Sequence, residues 1–566
     1  LVGPADRGGW YGPHPMIRDL LRSQLQAGGA ARERALELRA GRWHRDQGNT
    51  SRAVEHLVAA RAYDEALGHI GDVALHYWAA GRAETVHRWF GLLPVDELER
   101  RPDACSNLAY VLVAMGRFEE AEGWLLQAER GAETALERLG ALNVRLYLAR
   151  GRGDIEAVLR QLSAFDALAE TVDEPDLVEV IREIGADHVL LEADAYEYLG
   201  DDQRSRARWA DFDPENCPWP ELVLAHEHVS ARYAADDGDL DRARALAQRA
   251  LNRSRDSEVE LFHLSAHSEM ALARIAWCQG HLAEAEATLQ GAARLDRGEA
   301  NLLRSNRGAR LAEVLASGGQ HDRSQELLDG VCYDNSGNLN PTVLRSWVAG
   351  WGLWISAVHQ RTAEAEYWLE IVARLGGMRR LPRAVSARAA LVSRQPQMVI
   401  DQFGADGSLL PSQPLPRLRC GLVLEQALRL QGESAKALAI ARDLLATARR
   451  HDIVQPLIDE PMMVHQYCAA TADPAPADLI ERILAALGVD SGPELVGQAG
   501  KPLAAMTNRE LDVLRYLPTR MTNREIAAEL DVSPNTVKTH LRNIYRKVEA
   551  SSRDEALDRY RELGLI

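Results

Sequence analysis

The sequence predicts an all-α protein in two unlike parts: a long stack of helical hairpins over residues 28–487 and a module of four short helices over residues 506–566. Three observations predict it. A pattern of Gly, four residues, then a small side chain recurs between apolar helical stretches, with most spacings between 33 and 47 residues. The pentapeptide Met-Thr-Asn-Arg-Glu is written twice, at Met506 and Met521, each time followed by an aliphatic residue. Between the two parts, "GVDSGPELVGQAGKPLAA", residues 488–505, is rich in Gly and Pro and reads as a flexible linker.

In the first part the pattern is read as "GNTSRA" from Gly48, "GRFEEA" from Gly116, "GDDQRS" from Gly200 and "GDLDRA" from Gly238. It continues as "GHLAEA" from Gly280, "GQHDRS" from Gly319 and "GESAKA" from Gly432, with weaker copies at Gly81, Gly153 and Gln360. The Gly caps the first helix of a hairpin in a left-handed conformation, and the small residue lets the second helix pack close. A lone hairpin cannot bury its apolar faces, so the hairpins are expected to stack into a superhelical solenoid. They resemble the tetratricopeptide class, longer and looser than its standard of about 34 residues. An all-helical domain of hairpins without superhelical order stays open. Residues 396–418, rich in Pro and Gly, read as an extended interruption, and a helix around Asp478 to Leu487 closes the array.

In the second part, Thr507 with Glu510 and Thr522 with Glu525 have the Thr-x-x-Glu spacing of a capping box. Its side chains satisfy the backbone N–H groups that open a helix. Met506 with Leu511, and Met521 with Ile526, are placed to close as hydrophobic staples. The first helix carries Leu511, Leu514 and Leu517 on one side and stops at Pro518. The second runs from Asn523 to Leu530, and Asp531-Val532-Ser533 turns the chain. The third opens with Ser533 as cap and Pro534 at the first helical position; a fourth starts at Ser552-Arg553-Asp554-Glu555 and ends near Gly564. Short helix, three-residue turn, longer helix is the order of a helix-turn-helix.

The third helix has two faces. At about 100° per residue, Val537, Leu541, Ile544 and Val548 fall on one side. Asn535, Thr539, Arg542 and Arg546 fall on the other, with Lys538 on the flank. From Ser533 to Val548 there are four basic residues and no acidic one. Such a face suits phosphates and the acceptor edges of bases in a major groove. A small helical module whose basic stripe is merely solvated would show the same periodicity.

Residues 506–566 resemble the LuxR-type DNA-binding domain, through "TNREIAAEL", "SPNTVKTHLRNIYRKV" and "SSRDEAL". The resemblance implies that Lys538, Thr539 and Arg542 reach base edges, with Asn535 on the same face. It also implies that Thr522, Asn523, Ser533, Thr536 and Arg546 lie near phosphates and that the last helix, Arg553 to Leu563, forms a dimer contact. That family commonly has Gly-Val after the Lys-aliphatic pair that ends the recognition helix; this chain has Glu549-Ala550.

At the other end, "GGWYGPHPMIRDLLRSQL", Gly8 to Leu25, resembles the end of a winged-helix module followed by the first repeats of MalT-like regulators, the large ATP-dependent branch of LuxR-type proteins. Residues 1–27 are therefore read as a remnant of such a module. The resemblance implies an ATPase module ahead of this point, and none is expected within these residues. A phosphate loop needs Gly-x4-Gly-Lys-Ser/Thr. Of the four lysines, only Lys501 follows a Gly, and Pro502 stands where the hydroxyl should be. No cofactor is expected in this chain, ATP entering only with a parent ATPase module.

Composition limits the remaining classes. The formal net charge is −17, but the segment from Met506 onward is +1, which leaves −18 on residues 1–505. An acidic body carries a basic reader, an arrangement in which the body repels DNA or covers the basic helix until released. Six scattered cysteines without a Cys-x-x-Cys pair speak against a disulfide framework or zinc site. No apolar run reaches eighteen residues, and a cytoplasmic protein is expected. "HEHVS" at His226 has Ser230 where a second metal-binding His would stand, "DDGDLD" from Asp236 reads as a solvated turn, and Trp351 with Trp354 reads as helix packing rather than a ligand groove.

The expectation is a non-enzymatic, bacterial-type transcriptional regulator. Its repeat domain senses a small-molecule or protein inducer, and it self-associates on double-stranded DNA as a homodimer or larger, with RNA polymerase as a further partner and no membrane. Two alternatives stay open: a repeat scaffold with secondary DNA binding, and the C-terminal part of a STAND-type ATPase switch.

Overall fold

The computed structural model describes residues 29–79, 82–173, 175–185, 187–217, 219–256, 262–292, 301–333, 340–377, 381–470, 477–487, 521–529 and 533–547. It also describes residues 2–4, 11–13 and single positions between 16 and 23 and between 513 and 556. The first part is a run of antiparallel helical hairpins. Consecutive helices pair as Ala30–Asp46 with Thr50–Ala59, Pro102–Ala114 with Phe118–Gly131, Ala135–Arg152 with Ile155–Ala169, and Pro220–Asp237 with Leu240–Asp256. The pairing continues through Phe262–Cys278 with Leu282–Ala292, Asn301–Ser317 with His321–Gly330, Thr342–Val358 with Thr362–Arg374, and Pro414–Leu430 with Ser434–His451. Each hairpin also packs on its neighbours, as the helix at Pro220 does on that at Phe262, so the apolar faces form continuous cores.

The hairpin turns follow from the repeated Gly. Gly48, Gly116, Gly153, Gly200, Gly238, Gly280, Gly319 and Gly432 all have φ between 72° and 85°, and Gln360 takes the same conformation at 57°. At each turn the residue after the Gly reaches back five positions: Arg117 N–H to the Leu112 carbonyl at 2.9 Å, His281 to Ala276 at 2.8 Å. This bond closes the first helix. The carbonyl of that same residue then accepts the first bond of the next helix, as Arg117 does from Ala121 at 3.0 Å. One residue therefore ends one helix and starts another, and the side chain four positions on is buried between them, small at most turns though Val158 fills the place after Gly153. Ala53, Ala121, Ala243, Ala285 and Ala365 are buried at 1% exposure or less, as is Ser205. Gly81 lies outside the described residues. Arg61 and Arg394 adopt the same left-handed turn at φ 59° without a Gly, which hid two hairpins from the sequence pattern.

The all-α class holds, and two expectations are corrected. Residues 396–418 are not an extended interruption: Pro396–Phe403 and Pro414–Leu430 are helices, each opening on its Pro, where the missing N–H costs nothing. Among the described residues the all-α class has one departure, an antiparallel pair of three-residue strands, Val2–Pro4 and Tyr11–Pro13, within the predicted remnant. Asp236 is not a solvated turn residue. It points into the repeat body, where Arg310 holds it with two bonds of 2.7 and 2.6 Å and Arg274 and Arg232 lie at 3.6 and 3.5 Å.

That ion cluster sits where the chain curls back on itself. Helix Pro414–Leu430 packs on Pro220–Asp237, and the Val454 N–H donates to the Cys278 carbonyl at 2.7 Å. Ser317 donates to Asp459 at 2.9 Å, and Arg419 to Glu313 at 2.5 Å. The interior of the superhelix at this point is lined by arginines, carboxylates and indoles rather than left as an open groove.

Candidate nucleic-acid interface

The helix-turn-helix is built from its caps inward. The Thr522 N–H donates to the Glu525 carboxylate at 2.6 Å, and the Glu525 N–H returns to the Thr522 hydroxyl at 3.4 Å, so the second capping box is closed in both directions. The Thr522 N–H and hydroxyl hold the Glu525 carboxyl below the usual carboxylate range. Helix Asn523–Glu529 follows, and Met521 and Ile526 both join the core, as the staple predicts. Ser533 caps the next helix, its hydroxyl accepting from the Thr536 N–H at 3.1 Å. Pro534–Lys547 is the longer helix.

Burial divides that helix into two faces. Val537, Leu541 and Ile544 are at most 5% exposed and pack against Val513, Leu517, Ile526 and Ala527. Lys538, Thr539 and Arg542 are exposed, as are Thr522 and Ser533, while Asn523 and Thr536 are half-buried. Among the described residues no carboxylate forms an ion pair with Lys538 or Arg542. The structure therefore brings Lys538, Thr539 and Arg542 onto one solvent-facing side, with the caps Thr522 and Ser533 at the helix starts nearby in the motif. Asn535 and Arg546 occupy the same helix, but their side chains lie outside what is described, as do the first capping box at Thr507, Val548 and the linker 488–505.

Arg553 is where sequence reasoning fell short. At the start of the helix expected to form a dimer contact, its side chain turns back into the module. It donates from Nε to the Leu517 carbonyl at 3.0 Å, and from its terminal nitrogens to Tyr516 and Met521 at 2.6 Å each. It holds the backbone at Tyr516 and Leu517 beside Met521, at the start of helix Asn523–Glu529. Nothing in the local sequence separates such an inward arginine from a surface one. Most of the last helix, to Leu563, lies outside the described residues. After helix Pro534–Lys547 the Ala550 N–H donates to the Tyr545 carbonyl at 2.8 Å, a five-residue return bond made here without a Gly.

Electrostatically the face can do two things. Lysine and arginine beside exposed hydroxyls neutralise phosphates, and Arg542 offers a planar fork that matches the acceptor pair on a guanine edge. Elsewhere, His226 of the "HEHVS" stretch stacks on Trp209 and Phe212, and His228 lies between the hydroxyls of Ser268 and Ser254 at 2.6 and 2.9 Å. Among the described residues no group of three His, Cys, Asp or Glu is placed to hold a metal, and no helix is long and apolar enough to cross a membrane.

Comparison with known proteins falls on this module. Residues 504–559 match the family described as "Bacterial regulatory proteins, luxR family". Over 52 residues the chain is 48% identical to a nitrate/nitrite response regulator protein homolog of Haemophilus influenzae, covering 9% of this chain and 25% of that relative. Over 80 residues it is 39% identical to the HTH-type transcriptional regulator MalT of Vibrio campbellii, covering 14% of this chain and 8% of that relative. The match therefore spans a quarter or less of each relative's length. A chain of the APC/C hetero-tetramer Cut9-Hcn1 aligns over 80% of this chain and 96% of its own, at 13% identity and a TM-score of 0.38, too low to argue from.

Proposed function

We propose that this chain, whose C-terminal segment is a LuxR-family regulatory domain, is a MalT-like transcriptional regulator that binds double-stranded DNA through helix Pro534–Lys547 and is governed by its helical-repeat body. One observation carries the reading: the aliphatic side of that helix is locked in a core while Lys538, Thr539 and Arg542 remain exposed on the other. Lys538, Thr539 and Arg542 read base edges, with Asn535 beside them. Thr522, Asn523, Ser533, Thr536 and Arg546 anchor to phosphates.

One such head offers few base contacts, so two heads on adjacent half-sites supply affinity by effective concentration. Self-association of the chain provides the pair, and an inducer on the repeat body controls it. RNA polymerase is the partner downstream, the compartment is the cytoplasm, and the chain itself performs no catalysis and holds no cofactor. Genomic footprinting of the intact regulator tests the reading. Discrete, paired half-sites support it; uniform or absent protection contradicts it.

A further inference from the structure

The space left inside the curled repeat body is a cavity of about 170 Å³. Trp347, Trp351 and Trp354 of helix Thr342–Val358 form one wall and Val385 and Leu381 another, while Arg419, Arg310 and Arg206 line it together with the carboxylates Asp236 and Glu197. Trp347 and Trp351 lie with ring centres 6.0 Å apart, and the Arg419 guanidinium sits 5.6 and 5.4 Å from the centres of Trp351 and Trp354. A guanidinium flanked by indoles is stripped of much of its water while kept charged.

The charges around the cavity do not balance. Arg232 takes Glu197 with two bonds of 2.7 Å, and Arg310 takes Asp236 likewise at 2.7 and 2.6 Å. The third carboxylate, Glu313, is shared: Arg274 donates to one oxygen at 2.6 Å and Arg419 to the other at 2.5 Å. Four guanidinium groups thus meet three carboxylates, while Arg206 with Asp237, Arg388 with Glu460 and Arg150 with Asp194 are neutral pairs of their own. The Nε of Arg419 is buried without a hydrogen-bond partner. Asp459, beyond Arg419, is a weak counter-charge because burial pushes its carboxyl up to about 7. A buried cation short of counter-charge is costly, and a ligand anion removes that cost.

We infer that this cavity is a binding site for a small organic monocarboxylate with a single ring or short aliphatic body, its carboxylate meeting Arg419 and its apolar part lying on the three tryptophans. The surplus of one positive charge selects a monoanion. The size matches: a cavity of about 150 Å³ admits a benzene ring. That the ligand governs DNA binding rests on the proposed function; that it binds does not.

The full chain is titrated with benzoate, phenylacetate and hexanoate, each against its primary amide, following tryptophan fluorescence and heat. Saturable binding of at least one acid, at least tenfold tighter than its amide and lost in Arg419→Gln, is expected. Ala384→Trp, on the cavity wall, blocks binding without touching the ion cluster and guards against misfolding of the arginine variant. Binding of none of the acids, or equal binding of acid and amide, overturns the assignment. An acid that binds yet leaves DNA affinity unchanged keeps the site and removes the sensor role instead.

Discussion

Arg553 donates to the Met521 carbonyl at 2.6 Å and, through its other nitrogens, to the carbonyls of Tyr516 and Leu517, so a single guanidinium ties the backbone at 516–517 to the residue that leads into helix Asn523–Glu529. Arg553→Met keeps the stem but strands three acceptors, at a cost on the order of 3 kcal/mol to the module. Arg553→Lys recovers only part, since an ammonium cannot span three acceptors as a planar fork does. Hydrogen exchange of peptides covering 521–547 in the full chain reads this as fast, intermediate and slow exchange in Met, Lys and wild type. Equal exchange in all three contradicts it.

The left-handed turns differ in what surrounds them. At Gly48 an added Cβ meets nothing within 4 Å, whereas at Gly238 it lies 2.7 Å from the Leu415 nitrogen and 2.8 Å from Ile453. Gly48→Ala therefore costs only the conformation, roughly 1 kcal/mol, and Gly238→Ala adds a clash with a helix that closes the superhelix. Urea midpoints should fall clearly further for Gly238→Ala. Gln360→Gly, at φ 57°, should raise the midpoint.

The ion cluster predicts a non-additive pair. Arg310→Leu takes from Asp236 its two short bonds, leaving Arg274 and Arg232 at 3.6 and 3.5 Å as counter-charges, and should cost roughly 1.5–3 kcal/mol. The double variant Arg310→Leu with Asp236→Leu removes both charges and should cost less than that single change. A double variant worse than the sum of the two singles would show that the cluster is held by something other than mutual neutralisation.

Burial also sets a pH dependence. It pulls His228 and His359 down to about 4, while the unfolded imidazole titrates near 6.5. Between those values the unfolded chain takes the proton and the folded one does not, so stability is full above about 6.5 and falls as pH drops toward 4. Asp459, raised to about 7, works the opposite way by keeping its proton in the fold. His228→Gln should flatten the acid-side slope of melting temperature against pH, leaving His359 to account for the rest. An unchanged slope would show that His228 is protonated in the fold.

Much of this fold was legible because the signals were local. A left-handed turn favours Gly, and a small residue five positions on lets the second helix pack close where one residue both ends and starts a helix, so seven turns could be read directly. The hairpins at Arg61 and Arg394 were not legible, since a non-Gly residue held left-handed by its neighbours leaves no mark in sequence. The capping box at Thr522 and the aliphatic stripe of the third helix were likewise local and readable. Asp236 and Arg553 were not. Their partners lie 74 and 32–37 residues away, and an isolated charge gives no hint of which way it faces.

The central claim is that the exposed side of helix Pro534–Lys547 reads DNA. Fluorescence anisotropy of the full chain on its footprinted site and on a scrambled duplex, across a salt series, tests it most directly. Lys538→Ala and Arg542→Ala should each lose about 1–3 kcal/mol of preference for the site over the scrambled duplex. Arg546→Ala should weaken both duplexes alike and lower the salt slope by about one. Unchanged affinity and preference in the Lys538 and Arg542 variants would contradict the account.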